Sequence, residues 1–195
     1  MNKPPRIGLL GGSFNPAHPG HLHISRKALD RLRLDEIWWL VTPQNPLKDT
    51  AGMAPLAERM AGARRMADDP RITVSDMELE LGTRYSVHTM AALKQRFPAV
   101  RFVWIMGADV FLELPRWEDW KGFLRSVPIV VFPRPGCSRR ALGSKAARRF
   151  RRHRVDPKYM ARLARMRPPT WLYLEAKPQP ISGTRLRARQ VQGDR

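Results

Sequence analysis

Cysteine is nearly missing from this chain of 195 residues: there is one, Cys137. A single cysteine closes no internal disulfide, which excludes a disulfide-stapled scaffold and suits a reducing compartment. There is no run of eighteen apolar residues, so no segment is expected to cross a bilayer as a helix. The first apolar run starts at Ile7 and ends at Gly11, too short for the core of a secretory signal. These absences point to the cytoplasm, with no membrane partner. A Gly/Ser-rich linker and internal repeats are also lacking. Residues 1–195 therefore read as a single domain, a length that suits one full-sized core. Acid is scarce: 17 Asp and Glu stand against 36 Lys and Arg, leaving a net charge of +19. Such a surplus favours anionic partners and says nothing of fold.

What is present alternates between strand and helix. Residues 7–11 read as a short buried strand, followed by a Gly/Pro loop and a helix from Gly20 to Leu34. Glu36–Thr42 is a second strand, ended by Pro43. Pro55–Ala67 predicts a helix with proline in its first turn. Arg71–Ser75 is β-rich. Ser86–Phe97 predicts a helix with Ser86 as its N-cap and Pro98 past its end. Arg101–Met106 and Ser126–Phe132 read as buried strands, Trp171–Leu174 as a last short one, and Ser182–Gln192 as a closing helix. The alternation predicts an α/β fold, a parallel sheet with helices on both faces. The stretch from Arg134 to Arg167 holds thirteen basic residues and one acid, Asp156. Within it, 138–167 reads as a solvated excursion of two short helices, rich in helix-forming residues.

Residues 11–21 read Gly-Gly-Ser-Phe-Asn-Pro-Ala-His-Pro-Gly-His, between a strand and a helix. In an open parallel sheet, ligands bind at the carboxyl ends of strands. Gly11 and Gly12 let backbone amides approach an anion closely. The helix that follows points its free amides at the same place. His18 and His21 are three residues apart, so on a helix start both rings reach one phosphate, and protonated imidazole donates a strong hydrogen bond to an oxyanion. Either histidine alone reads more readily as a capping or surface residue; it is the pair flanking a glycine at a helix start that points to function. No Gly-Lys-Ser/Thr follows, so this is not a Walker loop, and the glycine spacing does not match a dinucleotide fingerprint. A second phosphate-binding pattern stands at Ile181-Ser182-Gly183-Thr184-Arg185-Leu186-Arg187. Ser182 suits a helix cap, and Arg187, one turn on, forks onto phosphate oxygens.

The pattern Gly-x-Phe-x-Pro-x-His-x-Gly-His resembles the signature of the HxGH nucleotidyltransferases, and the 181–187 segment resembles their second motif. The middle of the chain is similar to the bacterial nicotinate-nucleotide adenylyltransferases. The similar segments are Pro-Gln-Asn-Pro-Leu-Lys at 43–48, Tyr-Ser-Val-His-Thr at 85–89 and Ile-Met-Gly-Ala-Asp at 105–109. Two more are Leu-Pro-Arg-Trp at 114–117 and Phe-Pro-Arg-Pro-Gly at 132–136. The resemblance implies a Rossmann-like open sheet, ATP as substrate with Mg²⁺ carried on its triphosphate, and no protein metal ligand. It implies His18, His21 and Arg187 as catalytic residues. Gly11, Gly12, Ser13, Phe14, Gly20, Gly107, Asp109, Ser182 and Thr184 are implied at ATP. Lys48, Tyr85, Ser86, Thr89, Trp117 and Arg134 are implied at the mononucleotide. Each has a plainer reading beside it: Asp109 as a helix cap, Trp117 as core packing, Lys48 as a solvated side chain.

The implied activity joins ATP and nicotinate mononucleotide into nicotinate adenine dinucleotide and pyrophosphate, in NAD biosynthesis. Rival acceptors are nicotinamide mononucleotide and phosphopantetheine. A different kind of protein, a basic RNA-binding one, would interleave aromatics with its basic stretch. Between Arg134 and Arg167 only Phe150 and Tyr159 are aromatic, so no dedicated nucleic-acid partner is expected. A homo-oligomer is left open.

Overall fold

Alternation along the strands feeds two separate apolar layers, and this dictates the architecture. The computed structural model describes residues 3–44 and 52–174. Six strands, β1 (Arg6–Gly12), β2 (Glu36–Val41), β3 (Ile72–Ser75), β4 (Arg101–Gly107), β5 (Ile129–Phe132) and β6 (Trp171–Tyr173), form one sheet in the order β3-β2-β1-β4-β5-β6. Every strand pair is parallel. Successive residues point to opposite faces of a strand. Phe102, Trp104 and Met106 enter one core with Leu9, Ile129, Val131, Trp171 and Tyr173. Val103 and Ile105 enter the other with Leu10, Trp39, Val130, Phe132 and Leu172.

Helices cover both faces, as the alternation predicts. On one side α1 (Pro19–Leu32) contributes Ile24, Ala28, Leu29 and Leu32, and α2 (Leu56–Met66) contributes Met60 and Ala63. On the other, α4 (Ser86–Arg96), α5 (Ala108–Glu113) and α6 (Trp120–Ser126) supply Met90, Leu93, Phe111, Phe123 and Leu124. Trp39 is fully buried and its indole N–H donates to Ser25 Oγ at 2.8 Å, so its one polar group is satisfied within the core. The order 3-2-1-4-5-6 is the doubly wound Rossmann arrangement, in which the chain changes direction across the sheet between β1 and β4.

Three sequence expectations are corrected. Residues 126–128 are not strand: β5 begins at Ile129, and Trp120–Ser126 is helix, capped by Asp119 Oδ1 accepting from the Gly122 N–H at 3.0 Å. A short helix α3 (Met77–Glu80) stands in a stretch to which the sequence pattern assigns no element. Ser86 is not the cap of α4. Tyr85 holds that place with extended backbone, and its carbonyl accepts from His88 and Thr89 at 2.9 and 3.0 Å. The basic excursion contains α7 (Ser138–Leu142), α8 (Lys145–Arg149) and two 3-10 stretches, Arg151–His153 and Pro157–Arg165, rather than two helices alone. The expected helix 182–192 lies outside the described residues. No described helix is long and apolar enough to cross a membrane.

Gly8, in the middle of β1, marks how close the layers come. A Cβ there would meet Ile105 Cδ1 and Leu34 Cδ1, each at 2.8 Å. Gly8→Val is expected to lower unfolding free energy by about 1–3 kcal/mol, the usual cost of overpacking, read by urea denaturation. An unchanged midpoint would show that the two side chains move aside freely.

Candidate active site

The site is built at the carboxyl end of β1, beside the change of direction. After Gly12 the chain turns through Ser13 and Phe14, whose φ of 46° is left-handed. A phenylalanine is held there only by its surroundings. Its buried ring stacks on Trp39 at 5.1 Å between centroids and lies under His21 at 4.6 Å. Gly11 lies against Trp104, whose Cζ2 sits 3.0 Å from where a Cβ would stand. Phe14 and Gly11 thus press the turn onto two tryptophans of neighbouring strands.

His18 is the N-cap of α1 and Pro19 its first residue, a position that needs no amide proton. His21, at the third helical position, turns back and its Nδ1 accepts from the His18 N–H at 3.2 Å, one half of a capping box. With Nδ1 accepting, neutral His21 carries its proton on Nε2, which leaves that edge as a donor. The two rings stack with centroids 3.8 Å apart. The sequence spacing therefore does bring both histidines to one place.

Their charge state differs from the sequence expectation. Burial, and then the positive charge of Arg134, push His18 down to about 4. Burial, His18 and Arg134 hold His21 well below the usual histidine range. The protein alone keeps both rings neutral at pH 7, so protonated imidazole is not their resting form. His18 Nδ1 is buried without a hydrogen-bond partner among the described residues. Arg134, past the end of β5, therefore stands with the histidines and with Asp109, whose carboxylate lies 3.7 Å from its Nε. It was expected with the mononucleotide group. Asp109 is in the first turn of α5, not its cap, which is Gly107. A side chain at Gly107 would run into Asp109 and Arg134, so only glycine lets this pair close over the end of β4.

A second group forms around the start of α4. Tyr85 and Ser86 are half-buried, and Arg84 lies over the Tyr85 ring at 5.9 Å. Ser86, as first helical residue, contributes its own amide to the open end of α4. Thr89 does not reach this surface, contrary to expectation. It is fully buried, and its hydroxyl meets Thr83 Oγ1 at 2.9 Å, Tyr85 O at 3.2 Å and Glu78 Oε1 at 3.3 Å. Glu78 Oε2 is buried with no hydrogen-bond partner among the described residues, and burial, outweighing the nearby Thr42 and Thr89 hydroxyls, raises the carboxyl above the usual range. A cavity of about 270 Å³ opens here, lined by Thr42, Gln44, Glu78, Thr83 and Arg84 among others. Thr42 joins the two groups, since its N–H donates to Gly12 O at 2.9 Å. Trp117 is partly buried against Phe123 and the edge of Trp104, at 5.4 and 6.5 Å. Lys48, Ser182, Thr184 and Arg187 lie outside the described residues.

Two residues escaped the sequence reading. Glu78 sits in a short segment with no motif, and Arg59 is one basic residue among 36. Arg59 is buried, and its guanidinium donates to the carbonyls of Ser13, Thr42, Pro43 and Ala54. Nothing in the spacing of either residue distinguishes it from a surface charge.

A helix N-terminus at the switch point of a Rossmann sheet is where such folds bind nucleotides. The family model described as cytidylyltransferase-like matches residues 9–189. A relative from Parvibaculum lavamentivorans named probable nicotinate-nucleotide adenylyltransferase is 51% identical, over 94% of this chain and 92% of its own. Another of that name, from Caulobacter sp., is 48% identical over 96% of this chain and all of its own. The chain belongs to the cytidylyltransferase-like family and, within it, to the nicotinate-nucleotide adenylyltransferases. A solved structure of similar fold is Plasmodium falciparum nicotinic acid mononucleotide adenylyltransferase complexed with APC. Its TM-score is 0.68 at 14% identity, covering 94% of this chain and 83% of that one. The same enzyme complexed with NaAD matches equally.

Two predictions follow from the titrating groups. His18 has a lowered value in the fold, so its protonation favours the unfolded chain. Stability is fully present above pH 6.5 and is lost as pH falls towards about 4. The thermal midpoint should drop across that window, and His18→Gln should flatten the drop; an equally steep variant would assign it elsewhere. A raised carboxyl has the opposite sign: Glu78 contributes less as pH rises above 4.5. Glu78→Gln should therefore hold or raise the midpoint at pH 8. Glu78→Ala, which removes one acceptor of the Thr89 hydroxyl and leaves a buried void, should cost about 1–3 kcal/mol in urea denaturation.

Proposed function

We propose that this chain joins ATP and nicotinate mononucleotide to give nicotinate adenine dinucleotide and pyrophosphate. The observation that carries it is the stacked histidine pair at the start of α1, with Arg134 beside it, in the crevice where the sheet changes direction. That assembly is suited to a phosphate chain, and the named relatives supply the acceptor. In this reading an oxygen of the mononucleotide phosphate attacks the α-phosphorus of ATP. The bond from that phosphorus to the bridging oxygen breaks, and pyrophosphate leaves with the electron pair. The attacking phosphate is already ionised at neutral pH, so no side chain has to remove a proton. Catalysis is positioning and charge stabilisation.

His21 donates from Nε2, and the turn from Gly11 to Phe14 and the start of α1, with Gly20 in its first turn, offer backbone amides. Arg134 supplies a permanent positive charge. Gly107 and Asp109 take the adenosine, the carboxylate accepting from ribose hydroxyls. Ser182, Thr184 and Arg187 complete the phosphate site in this reading, and Lys48 the acceptor side. Mg²⁺ arrives in this reading as part of the MgATP substrate. In this reading the reaction is cytoplasmic.

The acceptor carboxylate is assigned to the open end of α4, where the Ser86 and Val87 amides are first-turn donors. Trp117 and Tyr85 offer the flat surfaces for the ring. An amide group would set its own N–H donors against those donors, an unpaired contact costing about 1–3 kcal/mol. The specificity constant for nicotinate mononucleotide should exceed that for the nicotinamide form by roughly a hundredfold. Pyrophosphate release measured with both acceptors, and with phosphopantetheine, decides this; equal rates would remove the nicotinate assignment. His21→Ala should reduce turnover by roughly a hundredfold, the scale of one lost transition-state donor. A folded variant at normal turnover would refute that role.

A further inference from the structure

Arg59 is 4% exposed, yet no carboxylate is among its partners in the described residues. Nε donates to Ala54 O at 2.9 Å, Nη1 to Ser13 O at 2.7 Å and Thr42 O at 2.8 Å, and Nη2 to Pro43 O at 2.8 Å. Four of the five guanidinium protons are thus committed to backbone carbonyls. Those carbonyls belong to three places: the turn after β1, the exit of β2, and the segment leading into α2. A buried charge without a counter-ion is costly, and only several well-aimed dipoles compensate it.

We infer that Arg59 is the positioning residue that sets the phosphate-binding turn at Ser13–Phe14. In a trans peptide the C=O and the following N–H point to opposite sides. With the Ser13 carbonyl drawn onto Arg59, the Phe14 N–H is held on the far side of that peptide, away from α2. Phe14 is the residue with left-handed backbone, a conformation a phenylalanine leaves readily unless held. Its ring is anchored by Trp39, and its preceding carbonyl by Arg59. Both restraints are needed to fix that peptide. A second tie supports the same turn: Asn15 Nδ2 donates to Gly52 O at 3.1 Å, and the Ala54 N–H donates to Asn15 Oδ1 at 3.4 Å. Lysine cannot replace Arg59, because one ammonium offers three donors from a point and cannot span this arc of carbonyls.

The inference rests on the proposed function only in taking ATP as the ligand of this turn. Calorimetric titration of the full chain with MgATP alone, without acceptor, therefore tests it. Arg59→Lys and Arg59→Met are expected to keep the native circular-dichroism spectrum. Their Kd for MgATP should rise by roughly tenfold or more, while the Kd for nicotinate mononucleotide stays within about threefold. A folded variant binding MgATP like wild type overturns the proposal, as does equal weakening of both ligands. Loss of the native fold in both variants also overturns it, because Arg59 would then hold the whole domain rather than one turn. A wild-type chain that binds MgATP but makes no dinucleotide would refute the reaction and leave the Arg59 comparison decisive.

Discussion

A parallel sheet must bury both faces, and everything else in this protein is arranged around that requirement. Parallel strands cannot be joined by tight turns, so each connection carries a crossover element that packs back onto the sheet. The strands accordingly send alternate residues into two cores, Trp104 to one side and Ile105 to the other. A further consequence is that all six carboxyl ends lie along one edge. Between β1 and β4 the crossovers diverge to opposite faces, and a crevice opens at that edge without any residue being dedicated to making it.

The same packing determines the electrostatics. His21 stands on the Phe14 ring, which itself stands on Trp39, so the histidine pair is lifted onto the core instead of into solvent. Arg134 adds positive charge beside rings that burial already keeps neutral. An anion bound there, as proposed, would meet donors already in place, with Arg134 itself held by the Asp109 carboxylate at 3.7 Å. Preorganised donors that need no rearrangement are the usual source of charge stabilisation in such sites. The burial of Arg59 and Glu78 behind this surface belongs to the same design: each polar group is held by backbone carbonyls or threonine hydroxyls, and each fixes a loop that the sheet does not hold.

Most of the surplus charge is elsewhere. In the excursion 138–167, Lys158–Asp156 at 3.6 Å is the ion pair seen among the described residues. The arginines of this stretch are mostly exposed, and two of their guanidinium groups lie over aromatic rings, Arg149 over Phe150 and Arg154 over Trp171. Such a field draws anions towards the molecule at long range without contacting them, an effect that salt weakens.

The alternation of apolar runs with helical periodicity was enough to determine the α/β class, the parallel sheet and the helix that follows the first strand. Local spacing also brought His18 and His21 together, because residues three apart at a helix start share a face whatever the rest of the chain does. Boundaries were less legible where a local signal competed with packing. Ser86 looks like a cap, yet Tyr85 takes the cap because its carbonyl closes the first turn. Tertiary structure alone decided the properties that depend on neighbours distant in the chain. The neutrality of the histidines comes from burial and from Arg134, more than a hundred residues away along the chain. The inward turn of Thr89 comes from Glu78, and the role of Arg59 from four carbonyls on separate loops. Residue type and spacing encode faces and periods; charge state and hydrogen-bond partners depend on solvent exclusion, which exists only once the layers have closed.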